Sequence, residues 1–375
     1  MSARFAAAAA SGDIAGLARQ CIAGLPAVAG ANLGILYTTE PAAAALPDLV
    51  DALAAHTGIR SWVGGVGLGI CSPAAEIFEE PAAVAMVAAL PENGFRIFGS
   101  TGDPGSDLPR QHAAWIEASQ PALALVHGDP RCPDLMKAMI DVAGASGAFL
   151  VGGLVSHRCP APLLAGSSGK TGLGSNGFAG VMLAPEIAVA TALTQGCIPI
   201  GPVRRIDEAR DNAVLVIDGR PALDIFREDI GPALAQDMRR AGGVIFAGLP
   251  VAGSDTGDYL VRNLMAIDPG RGSVVLGAEI AAGDPILFCR RDPESARRDM
   301  VRMVNHLAGR LSGPPKAGIY VSCVARGAAL FGEPGVEAAL IRESLGDFPL
   351  IGFFANGEIS RDRLYGHTGV LTLFT

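Results

Sequence analysis

Two short stretches near the C-terminal end carry the side chains best suited to hold a ligand. Cys323-Val324-Ala325-Arg326-Gly327 follows the apolar run Ile319 to Val321, and Gly352-Phe353-Phe354-Ala355-Asn356-Gly357-Glu358-Ile359 closes a second apolar run. Arg326 offers a planar fork of donors, Glu358 an acceptor and Asn356 both. Gly327 and Gly357 would let a ligand approach the backbone closely. The chemistry implied is binding of a small polar molecule with charged ends. The same residues have a purely structural use, in which Arg326 and Glu358 pair with each other and tie the two loops together. His367, in Tyr365-Gly366-His367-Thr368, is either a third wall of such a site or a hydrogen-bonded structural histidine. Cys323 as nucleophile with His367 as base would make an enzyme; a buried structural thiol is the competing use of that cysteine.

Other motifs fail on context. Leu164 to Thr171 ends like a phosphate-binding loop, but Leu164 stands where its leading glycine belongs and no helix is expected after Thr171. Gly172-x-Gly174-x-x-Gly177 satisfies a dinucleotide pattern but runs into the strand-like Phe178 to Leu183 where a helix is required. His157-Arg158-Cys159 is one pair of donors on a Pro-rich loop, short of a metal site. There is no Gly-x-Ser-x-Gly elbow. Catalysis is not indicated, and no metal is expected.

The elements that must position these residues recur along the chain. A short apolar strand, a helix of about ten residues, a second strand carrying glycine and a third strand appear three times. The first copy uses Leu33 to Tyr37, a helix near 49–56, Trp62 to Gly65 and Val84 to Leu90. The second uses Leu123 to Val126, a helix near 134–143, Phe149 to Gly153 and Phe178 to Leu183. The third uses Ile319 to Val321, a helix near 336–345, Leu350 to Phe353 and Val370 to Phe374. Either duplication or the shared length of any β-α-β unit accounts for the spacing. Gly243 to Gly248 and Ser273 to Leu276 are candidates for a degenerate further copy. Val214 to Ile217 reads as a strand that turns at Asp218-Gly219 into Pro221 at a helix start. The expected fold is α/β: two pseudo-related halves built from repeated β-α-β units, with mixed sheets packed with helices. In a parallel sheet, loops at the C-terminal strand ends converge in one crevice, so Arg326, Asn356, Gly357 and Glu358 should lie together.

Composition sets the frame. The 375 residues are 50% hydrophobic and 18% charged, which excludes a disordered chain. Aromatic residues are only 5%, so the core is built of Ala, Val, Leu and Ile. Lys137, Lys170 and Lys316 are the only lysines against many arginines, a bias that looks bacterial. A net charge of −8 and the lack of any basic run argue against nucleic acid as a partner. No apolar stretch is long enough to cross a bilayer. Ala6 to Ala10 is too weakly apolar for a signal peptide, and Ser11-Gly12-Asp13 reads as a helix start. Seven scattered cysteines without a Cys-x-x-Cys pair suit reduced thiols in a cytoplasm.

Residues 323–327 with Leu330-Phe331-Gly332, residues 352–359 and His367-Thr368 resemble the C-terminal half of the FIST sensory-domain family. The likeness continues through Pro199 to Pro202, Leu215 to Ala222, Tyr259 to Asn263 and Ile267-Asp268, and reaches the N-terminal half at Gly64-Gly65 and Gly152-Gly153. Two departures are Val324-Ala325 ahead of Arg326-Gly327, and Ser360 where the family has glycine. The resemblance implies FIST N-terminal and C-terminal domains at 28–220 and 221–375. It also implies a sensor that binds a small ligand such as an amino acid and signals through a separate histidine kinase or chemoreceptor. One branch of the family is similar in fold but binds haem and reports nitric oxide to a kinase, which stands as the alternative.

Overall fold

The computed structural model describes residues 4–375 except residue 73 and residues 101–103, 159–161, 167–172, 175–176 and 252–257. The described chain forms two compact units: Met1–Thr194 with Met300–Leu364 and Thr368–Thr375, and Gln195–Asp299 with Tyr365–His367.

The larger unit is a threefold repeat. Its first copy comprises β1 (Arg4–Ser11), α1 (Ile14–Gly24), β2 (Leu33–Thr39), α2 (Leu46–Thr57), β3 (Ser61–Gly67), β4 (Gly69–Cys71), β5 (Glu76–Phe78) and β6 (Ala82–Ala89). Helix α1 starts after Asp13, as expected, although the alanine run ahead of it is a strand. The second copy comprises β7 (Phe95–Ser100), α3 (Pro104–Ser119), β8 (Leu123–Gly128), α4 (Leu135–Ser146), β9 (Phe149–Leu154), β10 (Leu163–Gly166), β11 (Leu173–Gly174) and β12 (Phe178–Leu183). The phosphate-loop-like stretch thus begins in a strand, and its Ser167 to Thr171 lie outside the described residues, as do Cys159 and Gly172.

The third copy opens with β13 (Val189–Gln195) and is then interrupted by the smaller unit. That unit contains β14 (Cys197–Pro199), β15 (Arg204–Arg210), β16 (Ala213–Ile217), β17 (Arg220–Pro221), α5 (Ala222–Ile230), α6 (Pro232–Ala235), β18 (Ile245–Pro250), β19 (Tyr259–Asp268), β20 (Ser273–Leu276) and β21 (Pro285–Arg291). Asp218 and Gly219 both adopt positive φ in the turn between β16 and β17. Its core of Ile206, Val214, Phe226, Ile245 and Phe288 is its own. The pairings recorded for β18 and β20 are antiparallel, so Gly243 to Gly248 and Ser273 to Leu276 do not form a further β-α-β copy. The third copy resumes with α7 (Pro293–Arg310), β22 (Ala317–Cys323), α8 (Ala328–Phe331), α9 (Val336–Leu345), β23 (Leu350–Ala355), β24 (Glu358–Ser360), β25 (Arg363–Tyr365) and β26 (Thr368–Phe374).

Each copy centres on one six-stranded sheet, and the orders β1-β6-β2-β3-β10-β11, β7-β12-β8-β9-β24-β25 and β13-β26-β22-β23-β4-β5 correspond position by position. The first two long strands of each helical crossover are parallel, and the returning strand is antiparallel. Mixed sheets packed with helices are therefore what the chain builds. A short strand from each copy leaves to pair with the second strand of another: β4 joins β23, β10 joins β3 and β24 joins β9. The exchange is cyclic.

Alternation sorts side chains to two sides of each sheet. Leu33, Ile35 and Tyr37, Leu123 and Leu125, and Ile319 and Val321 enter one shared core, while Leu36, Val126 and Tyr320 face the helices. At that core the Tyr37 hydroxyl meets His127 Nε2 at 2.8 Å, and Phe353 packs on both rings. Gly64, Gly152 and Gly352 occupy one equivalent position. A Cβ on them would stand 1.8, 2.0 and 1.8 Å from the carbonyl oxygens of Leu36, Val126 and Tyr320. Only glycine fits there, which is why the second strands carry it.

Candidate functional site

The loop after β22 is pinned by a carboxylate that the sequence reading did not single out. Glu337 sits on the buried side of α9 with Ala338 and Ile341. It accepts from Arg326 Nε at 2.8 Å, with Nη2 2.7 Å away in the ion pair, from Ser322 Oγ at 3.0 Å, from the Gly327 N–H at 3.2 Å and from the Tyr320 hydroxyl. Arg326 is 1% exposed. Burial alone would lower its pKa, but the Glu337 carboxylate outweighs it and the guanidinium is held above its ordinary value. Its Cζ also lies 5.5 Å from the Phe331 ring centre. Gly327 takes φ +55, which the turn into α8 requires and a side chain would resist.

Arg326 and Glu358 were each other's expected partners in the structural reading. The ion pair is instead Arg326 with Glu337, because α9 projects Glu337 under the loop. Glu358 begins β24, the strand lent to β9, where it lies opposite Gly153. It is wholly buried and accepts from Thr368 Oγ1 at 2.7 Å and Thr368 N–H at 3.1 Å. Burial pushes its pKa up to about 8, against the opposing pull of Thr368, the Cys323 thiol and the Arg326 charge. Arg326 and the Cys323 thiol thus both act on Glu358.

Asn356 and Gly357 form the bend between β23 and β24. The Asn356 N–H donates to the Leu154 carbonyl and the Leu154 N–H to the Gly357 carbonyl, both at 2.9 Å. Asn356 is exposed, and Gly357 takes φ +133 with Leu364 against it. His367 belongs to the smaller unit, with φ +59, its carbonyl accepting the Gly196 N–H and its ring 4.3 Å from that of Phe246.

Glu76, on β5, is the second residue that sequence reasoning missed. It arrives from the first copy through the exchanged strand β4, which β5 flanks. Burial first, then Glu337, raise its pKa to about 7, while the Gly335 N–H and Arg326 act the other way. Its Oε2 is buried without a hydrogen-bond partner and would lie 3.1 Å from a Cβ on Gly327. Glu337 left one trace in the sequence, an acid beside the apolar residues of a short helix. Glu76 left none, since no spacing rule reports an exchange between repeats.

Among the described residues no group of three or more His, Cys, Asp or Glu is arranged to hold a metal ion. Nor is any described helix long and apolar enough to cross a membrane. Family models agree with the architecture: the FIST N domain matches residues 32–220 and the FIST C domain residues 222–361. The chain belongs to the FIST family. FIST domains are associated with sensing in signal transduction. The chain is also 30% identical over 382 residues to the uncharacterized protein Rv0628c of Mycobacterium tuberculosis, covering 97% of this chain and 96% of that one. Similarity to the uncharacterized protein Mb0898c of Mycobacterium bovis is 30% over 379 residues, covering 96% and 94%.

Proposed function

We propose that this FIST protein is a cytoplasmic sensor that binds a small amino-acid-like metabolite and passes the signal to a separate partner, a histidine kinase or chemoreceptor. The observation that carries the reading is the charged cluster of Arg326, Glu337, Glu358 and Glu76, where two loops of the third repeat meet a strand exchanged from the first. Buried carboxyls whose pKa values rise toward neutrality gather more often at functional sites than elsewhere. The ligand sits against Gly327, Cys323, Glu358 and the Asn356-Gly357 bend. A ligand that binds only the folded state raises stability by about 2.7 kcal/mol at a hundredfold excess over Kd. A thermal-shift screen of amino acids should find a stabiliser, and Glu358→Gln should reduce that shift while the protein stays folded. No stabiliser in the screen contradicts the reading.

A haem-bound gas sensor needs an axial His or Cys facing an apolar cavity. The His127 ring is bonded to Tyr37 and held neutral by burial, and the His112 ring is bonded to the Ile97 carbonyl. His56 and His306 are exposed on α2 and α7. These four histidines do not fit haem.

A further inference from the structure

The sheet of the smaller unit closes on itself, because β21 pairs with both β15 and β18. Val214, Val274 and Leu276 point into its core, so alternation leaves Ala213, Leu215 and Val275 on the outer side, where each is half-buried. These three help to floor an open groove of about 850 Å³. Two arginines line one end of it from turns that touch. Arg220 opens β17, and Arg271 lies in the turn between β19 and β20. The residues beside them meet: the Leu223 N–H donates to the Gly272 carbonyl at 2.9 Å, and a Cβ on Gly272 would stand 3.3 Å from Pro221.

Both guanidiniums are held loosely. Arg220 donates from Nη1 to Glu228 at 2.8 Å, with the two side chains 51% and 55% exposed. Arg271 is 76% exposed, and its Nε stands 3.8 Å from Asp268, beyond hydrogen-bond reach. Asp268 uses its other oxygen to accept the Gly270 and Arg271 N–H groups of its own turn. Exposed pairs of this kind contribute little, and five N–H groups on each guanidinium leave most donors unspent. The carboxylates of Glu208 and Asp211 lie with Arg210 on the β15 side of the floor, where Arg210 is opposite Ala213 and Glu208 opposite Val216. Two strand spacings, about 10 Å, separate β15 from β17. The groove is thus positive at the Arg220–Arg271 end, apolar along its floor and acidic beyond it. Planar forks of N–H donors match carboxylate and phosphate oxygens.

We propose that this groove binds a small amphiphilic oxyanion, a carboxylate or phosphate monoester carrying one short apolar chain. Arg220 and Arg271 take the anionic group, and Ala213, Leu215 and Val275 lie under the chain. The site belongs to the smaller unit alone and does not rest on the sensor reading.

Isothermal titration of the full chain at low ionic strength tests it with hexanoate, hexyl phosphate, hexanol, acetate and inorganic phosphate as probes. Hexanoate or hexyl phosphate should bind one to one, at least tenfold more tightly than hexanol and than its own chainless anion, and the tighter of the two names the oxyanion. Arg220→Gln and Arg271→Gln should each weaken that probe at least fivefold, and Leu215→Ser should bring it towards the chainless anion. Arg227→Gln, which removes the same charge from α5 outside the groove, should bind like the parent. These side chains are exposed or half-buried, and an unchanged far-ultraviolet spectrum shows that the variants fold. Hexanol binding as tightly as the amphiphilic anions, chainless anions binding as tightly as they do, Arg220→Gln and Arg271→Gln both binding like the parent, or no binding by either amphiphile overturns the proposal.

Discussion

Arg326 and Glu337 form a buried ion pair whose two members have different claims on stability. Removing one partner of such a pair leaves an uncompensated charge and costs about 3–5 kcal/mol. Arg326→Ala should therefore lower the urea midpoint strongly, by a loss in that range; a loss under about 1 kcal/mol would mean that Glu337 is satisfied without the guanidinium. Glu358 makes a separate prediction in pH. Its folded pKa of about 8 lies above that of an unfolded glutamate, so the folded state holds the extra proton between the two values. Its stabilising share is fully present below about pH 4.3 and is lost as pH rises through 8. Unfolding free energy of the parent should fall across that window relative to Glu358→Gln, which cannot titrate; parallel curves would contradict the assignment. His127 works in the opposite sense. Burial lowers its pKa to about 3, so its contribution is present above an unfolded value near 6.5 and is lost as pH falls toward 3.

At the scale of elements, the three glycines opposite Leu36, Val126 and Tyr320 are the sharpest marks of the repeat. Gly352→Ala or Gly64→Ala would drive a Cβ into a carbonyl oxygen at 1.8 Å and should prevent folding to the native state, seen as loss of the cooperative thermal transition. Gly144 in α4 has open space around its Cβ position, so Gly144→Ala should be neutral or stabilise by up to about 1 kcal/mol. Equal effects at both kinds of site would contradict the close approach. Much at this scale was readable beforehand. Periodicity and glycine placed β2, β3, β8, β9, β22 and β23 with their helices, because a strand covered on both faces leaves a continuous apolar run. The strands β4, β10 and β24 were not readable as an exchange: they are three or four residues long, and pairing between repeats depends on three-dimensional closure rather than local pattern. The site divides the same way. Arg326 and Glu358 were legible as charges beside glycines at strand ends, whereas Glu76 depended on the exchange.

The whole molecule is a cyclic three-repeat unit with a second unit inserted after β13. The ends of the insertion are joined locally, since the Gln195 N–H donates to Asp299 at 2.7 Å, and the inserted sheet has its own core. Residues 195–299 expressed alone should unfold cooperatively. Residues 1–220 alone should not, because β9 loses β24, β4 loses β23 and the shared core loses the third repeat's side chains; adding residues 221–375 should restore a cooperative transition. A cooperative transition from residues 1–220 alone would show that the repeats close without the exchange.

The central claim is that ligand is sensed where the third repeat meets the strand lent by the first. Amide hydrogen exchange with and without the best stabiliser from the amino-acid screen tests it most directly. The account predicts added protection at residues 76–78, 323–327 and 356–358. Protection confined to residues 204–276, with those segments unchanged, would contradict it.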